Sequence, residues 1–143
     1  MSSDTVELLK ECDQGVKMAV KNLDEITKDV KDKKLESIIA DSRKKHIILK
    51  QEIEKTLTEM GEELSEPNII AESMGYIKTN VKFAIEKTDK TAADLITDGC
   101  NMGIKTLTRY LNQYENADEK AKCTARAVIA TEESLLDSVR PYL

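Results

Sequence analysis

Residues 12–17 read CDQGVK, and residues 100–105 read CNMGIK. Each stretch has a cysteine, a glycine three residues later and a lysine two residues after that glycine. The same shift of 88 residues carries Leu23 onto Leu111, so the likeness extends over about three helical turns. A likeness kept at one fixed spacing indicates that one structural unit occurs twice in the chain.

The composition favours helices and limits the classes of partner. Of the 143 residues, 34% are charged and 3% are aromatic, with five glycines, two prolines and no tryptophan. Few helix breakers among many charged residues are typical of an all-α chain. Because the formal net charge is −5 and aromatic residues are scarce, we expect no nucleic-acid partner.

The cysteines and the terminus indicate the compartment. No apolar run approaches the eighteen or so residues of a membrane span, and the N-terminal stretch has no secretory signal. Cys12, Cys100 and Cys123 form no C-x-x-C pair. We therefore expect a cytoplasmic protein with reduced thiols and no membrane partner.

The apolar pattern predicts a single domain over residues 1–143, built from two helical hairpins. The first hairpin covers residues 4–61, the second covers residues 91–141, and a crossover helix at 68–87 joins them. One long crossover between two hairpins is the arrangement of a ferritin-like four-helix bundle. Capping-box patterns predict helix starts near Asp4, Thr91 and Asn116, and Gly61 predicts a helix end.

Three ionisable residues interrupt the apolar stripes of these helices. Asp13 lies on the first helix, His46 on the second and Glu132 on the fourth. On the first helix the stripe is predicted to contain Val6, Leu9, Asp13, Val16, Val20 and Leu23.

His46 and Glu132 are predicted to lie at the same level of the bundle. A shift of 86 residues carries the stripe of the second helix onto that of the fourth, and His46 onto Glu132. In an antiparallel hairpin, residues equally far from the turn share a level. With turns near residues 31 and 118, the predicted central layer contains Val16, His46, Ile104 and Glu132, with Asp13 about one helical turn away.

The repeated Cys-x-x-Gly pattern and the crossover resemble the ferritin-like superfamily. The chain is similar, from about residue 5 to residue 140, to the small bacterial ferritin-like bundle proteins of unknown function. In those proteins helices 1 and 3 carry Cys-x-x-Gly-Glu, and helix 2 carries Glu-x-x-His. The resemblance implies a position for each ligand of a di-metal site.

Most of those ligand positions lack a ligand here. Val16 and Ile104 stand where the resemblance implies glutamates, and Arg43 stands at the glutamate of Glu-x-x-His. His46 matches its position, and Glu132 stands where a second histidine is implied. We therefore expect that the di-metal site has been lost and that no cofactor is bound.

Three interpretations of His46 follow. In the first, His46 and Glu132 form a buried polar pair that determines which helix faces which. In the second, His46, Glu132 and Asp13 form a reduced metal site for iron, manganese or zinc. In the third, His46 accepts a phosphoryl group, which requires exposure, whereas the apolar stripe predicts that it faces inward.

The remaining predictions concern packing and partners. Cys12, Gly15, Cys100 and Gly103 are expected to pack helices closely, because a glycine within a helix needs a compensating contact. The predicted function is that of a non-enzymatic structural or protein-interaction module. Its partner is expected to be a protein, including a second copy of the chain, with Tyr76 and Phe83 as apolar contacts on the crossover helix.

Overall fold

The computed structural model describes residues 2–64 and 86–143, and the elements in these two ranges are helical. They are α1 (Ser3–Thr27), α2 (Lys33–Glu59), α3 (Asp89–Gln113) and α4 (Glu119–Val139), followed by a short 3-10 helix (Arg140–Tyr142). The all-α prediction is confirmed for this part of the chain. The predicted crossover helix at 68–87, with Tyr76 and Phe83, lies outside the described residues apart from its last two positions. None of the described helices is long and apolar enough to cross a membrane.

The four helices begin at side-chain caps, three of which differ from the predicted ones. The caps are Ser2, Asp32, Thr88 and Asp118, each accepting a hydrogen bond from the backbone N–H three residues later. Asp4, Thr91 and Asn116 were the predicted starts, but Asp4 and Thr91 lie inside the first turn and Asn116 lies two residues before the cap. The true caps are the residues whose extended backbone lets the side chain reach that N–H.

Gly61 ends α2 as predicted. Its φ of 79° is positive, which favours glycine at this position. The N–H of Glu62 donates to the carbonyl of Leu57, and the N–H of Gly61 donates to that of Thr58. These two bonds form a Schellman motif and satisfy carbonyls at the end of the helix.

The helices form two antiparallel hairpins that pack on each other. In one, α1 pairs with α2, and in the other α3 pairs with α4; α1 also packs against α3 and α4, and α2 against α4. Two clusters of buried apolar residues fill the two halves of the bundle. His46 and Glu132 are buried between the two clusters, and we call this pair the polar layer.

Each hairpin caps the turn of the other, and we call these contacts the reciprocal caps. At one end, the Asp89 carboxylate accepts the N–H groups of Lys31 and Asp32 at 2.8 and 3.0 Å. At the other end, Asp4 accepts from the N–H of Asn116 at 3.0 Å, and the Thr5 hydroxyl accepts from the N–H of Asp118 at 2.8 Å. In each case, the first turn of one hairpin accepts hydrogen bonds from the interhelical turn of the other.

The buried face of α1 is wider than the predicted stripe and is rotated relative to it. Val6 and Val20 are only half-buried, whereas Leu8, Cys12 and Ala19 are buried. The wider face of α1 contacts α2, α3 and α4.

Candidate functional site

His46 is the most enclosed ionisable side chain of the polar layer. It is 0% exposed, and Nδ1 lies 2.8 Å from the carbonyl oxygen of Ser42, one helical turn earlier on α2. Nε2 lies 2.8 Å from Oε1 of Glu132 on α4. Both ring nitrogens are therefore engaged, one within the helix and one between the two hairpins.

The partners of the ring determine where its protons lie. A carbonyl oxygen only accepts hydrogen bonds, so Nδ1 carries a hydrogen, and an ionised carboxylate likewise requires a hydrogen on Nε2. Burial by itself lowers the pKa of His46, but the hydrogen bond to Glu132, its charge and the Ser42 carbonyl together raise that pKa above its usual value. The raised pKa of His46 favours the doubly protonated ring.

Glu132 also contacts a thiol and a small cavity. Burial, together with the charge and hydrogen bond of Glu132, raises the pKa of Cys100 on α3 well above its usual value. A cavity of about 30 Å³ lies beside the pair, and its wall includes Asn22 and Cys100. The volume has room for about one or two water molecules, and most of the other lining residues are apolar.

Asp13 lies apart from the pair. It is 2% exposed, and Oδ2 accepts a hydrogen bond from Nζ of Lys17 at 2.6 Å. Burial raises the pKa of the Asp13 carboxyl above its usual value, against the opposing effect of Lys17. In residues 2–64 and 86–143, no three Asp, Glu, His or Cys side chains are grouped so that they could hold a metal ion. The structure therefore does not bring Asp13 together with His46 and Glu132.

The other positions at which the resemblance implies metal ligands make packing or ion-pair contacts. Val16 is fully buried, but Ile104 is only half-buried, and α3 places Gly103 in the core instead. Ile104 therefore contributes less to the buried core than its equivalent Val16. Arg43 is half-buried and pairs with Asp24 of α1.

The two Cys-x-x-Gly stretches occupy opposite halves of the bundle. Cys12 belongs to one apolar cluster and Cys100 to the other, so the two thiols do not face each other. Burial raises the pKa of Cys12 to about 12, which makes it a poor nucleophile. A Cβ at Gly15 would lie 3.9 Å from Cδ1 of Leu107, which is ordinary contact. The close helix approach predicted at Gly15 is therefore absent.

The sequence pattern did not indicate that Ser42, Asn22 and Cys100 are neighbours of the pair. Ser42 could have been found, because it lies four residues before His46 on the same face. Asn22 and Cys100 come from α1 and α3, whose rotation about their axes the sequence does not specify.

Comparison with known proteins shows the fold and nothing finer. No protein-family model matches the chain, and no curated protein matches it. A crystal structure of a DUF305 fragment from Deinococcus radiodurans is similar, with a TM-score of 0.77 over 98% of this chain and 95% of that one. The sequence identity is 14%, so the similarity shows a shared helical fold.

Proposed function

We propose that this protein is a non-enzymatic helical bundle, of ferritin-like descent, that serves a structural or protein-binding role. The observation that carries the proposal is the engagement of both ring nitrogens of His46 within the core. A side chain whose two N–H groups already donate to oxygen atoms has no lone pair left for other chemistry. The pair therefore acts as an internal contact between the hairpins.

The alternative of a reduced metal site is less well supported. A histidine binds metal through a neutral ring with a free lone pair, whereas His46 faces an acceptor at each nitrogen. Asp13 pairs with Lys17 and lies apart from the proposed ligands. Val16 and Arg43 at implied ligand positions further support the loss of an ancestral di-metal site.

The phosphotransfer alternative meets a steric obstacle. A phosphoryl donor must reach a ring nitrogen, and His46 is 0% exposed. Transfer would also leave a phosphate dianion beside the Glu132 carboxylate, where the two negative charges repel.

The proposed partner is a protein, including a second copy of the chain. The net charge of −5 disfavours polyanionic partners such as nucleic acids. No catalytic role is proposed for any residue of the polar layer.

Metal analysis tests the proposal against its first alternative. Wild type, His46→Ala and Cys123→Ala are incubated separately with iron, manganese and zinc, desalted and analysed for metal. Cys123 is the control because it is exposed and could bind metal nonspecifically. We expect far less than one metal per chain in all three proteins. About one metal per chain in wild type and Cys123→Ala, but not in His46→Ala, would contradict the proposal.

A further inference from the structure

Asn22 is a buried amide whose hydrogen-bonding groups lack a protein partner. It lies on α1 and is 6% exposed. Across the described ranges, 2–64 and 86–143, its side chain makes no hydrogen bond to another protein group. An amide carries two N–H donors and an oxygen acceptor, and burying them unsatisfied costs free energy. Buried polar groups of this kind are commonly satisfied by ordered water.

The Asn22 side chain lines the cavity beside His46 and Glu132. This cavity has a volume of about 30 Å³, which is room for about one or two water molecules. In the described part of the chain, Oδ1 of Asp13 and Oγ1 of Thr97 are also buried without a partner. Neither of those two residues lines this cavity. Asn22 therefore combines an unsatisfied amide with adjacent space for water.

Glu132 supplies the second polar group that a water molecule needs. Its Oε1 accepts from Nε2 of His46 at 2.8 Å, and its carboxylate is hydrogen-bonded to the Cys100 thiol. A carboxylate has about four acceptor positions, so two bonds leave capacity for another donor. His46 offers nothing further to the cavity, because both of its ring nitrogens are engaged. Asn22 and Glu132 are thus the polar groups available to hold a molecule in this space.

We propose that this cavity is a binding site for one ordered water molecule, held between the Asn22 amide and the Glu132 carboxylate. The water accepts from an N–H of Asn22 and donates to a carboxylate oxygen of Glu132, so each bond joins a donor to an acceptor. The small volume excludes larger molecules, and the charge of Glu132 repels anions.

The water connects α1 to the pair formed by α2 and α4. The hydrogen-bonded chain runs from Asn22 through the water to Glu132, and from there through His46 to the carbonyl of Ser42. Three helices then share one buried network. Asn22 is a water-binding residue in this network, and its amide is satisfied without a direct contact to another side chain.

A high-resolution crystal structure of wild type, grown without added metal, tests the occupancy of the cavity. We expect a density peak about 2.7–3.2 Å from both an amide atom of Asn22 and an oxygen of Glu132. An empty cavity would overturn the proposal and leave the proposed function intact. A peak only about 2.0–2.2 Å from Glu132, the distance of a metal ion, would overturn both.

The variant Asn22→Leu tests the role of the amide in solution. Leucine is similar in size but has no polar atom, and Asn101→Leu makes the same substitution at an exposed position of α3 as the control. Magnetic relaxation dispersion of ¹⁷O in water measures the water molecules that reside inside a protein. We expect equal amplitudes for wild type and Asn101→Leu, and the loss of one water molecule in Asn22→Leu.

An amplitude for folded Asn22→Leu equal to that of wild type would overturn the proposal. Far-UV circular dichroism establishes whether each variant is folded. If Asn22→Leu does not fold, the crystal structure of wild type decides the proposal by itself, because it locates the water and its partners directly.

Discussion

At the scale of single residues, the protonation of His46 determines whether its ring carries a charge within the core. A buried charge is tolerated only when it is paired and hydrogen-bonded, and the contacts to Ser42 and Glu132 provide both. Cys100 is the titratable group that faces the pair from α3, and Asn22 of α1 is uncharged. The pair is therefore expected to make stability depend on pH in the neutral range.

The raised pKa of His46 predicts the direction of that dependence. Its contribution to the free energy of unfolding is fully present below the unfolded value of about 6.5, and it is lost as pH rises through the folded pKa. The free energy of unfolding, measured by urea unfolding, should thus decrease as the pH rises above 6.5.

The matched control is Glu132→Gln, which removes the charge and leaves the size of the side chain. The raised pKa of Cys100 also makes stability fall with pH, but only above about 8.5. The difference between wild type and Glu132→Gln should therefore shrink as pH rises above 6.5. A constant difference across this range would contradict the assignment of an imidazolium.

At the scale of elements, the sequence predicts α2 and α4 better than α1 and α3. Every stripe position predicted within α4, from Ala121 to Val139, is buried. On α1, the half-buried Val6 and the buried Ala19 depart from the predicted stripe. Level along a hairpin follows from counting residues, whereas rotation about a helix axis depends on packing partners.

The same distinction explains the site. Counting from the turns places His46 opposite Glu132, and the structure brings them together. Counting residues does not reveal that Asp13 lies apart from this pair. It also does not reveal that Cys100 and Asn22 lie beside the pair, because those positions depend on the rotation of α1 and α3 about their axes.

Two glycines provide a prediction at this scale. Gly15→Ala should raise the free energy of unfolding by about 0.5–1 kcal/mol, because glycine costs about this much within a helix. The new methyl group would only make ordinary contact with Leu107. Gly61→Ala should lower it by about 1–2 kcal/mol, because a φ of 79° is strained for alanine.

Urea unfolding of both variants checks this prediction, and each serves as the control for the other. Loss of stability in Gly15→Ala would show that the helices approach more closely at that position than the structure indicates.

At the scale of the whole molecule, the reciprocal caps join the two hairpins at both ends of the bundle. Asp89 accepts two backbone N–H groups of the α1–α2 turn, and Asp4 and Thr5 cap the α3–α4 turn. Different residues provide the caps at the two ends, because a shift of 88 residues carries Asp4 onto Ala92 and Thr5 onto Ala93.

Removing one reciprocal cap should loosen one end of the bundle. We expect Asp89→Ala to lower the free energy of unfolding by about 1–2 kcal/mol, since two N–H groups lose their acceptor. Amide exchange at Lys31 and Asp32 should also become faster. Asp94→Ala, at an exposed position on the same helix, is the control and should change stability by less than about 0.5 kcal/mol.

The most direct test of the central claim is the protonation state of the His46 ring in solution. As the chain has one histidine, its two ring nitrogens can be observed by ¹⁵N NMR without assignment. At pH 7, both should resonate as protonated N–H nitrogens, and neither should shift when zinc is added. A single protonated nitrogen, or a shift on addition of zinc, would contradict a core pair that leaves no lone pair for a metal.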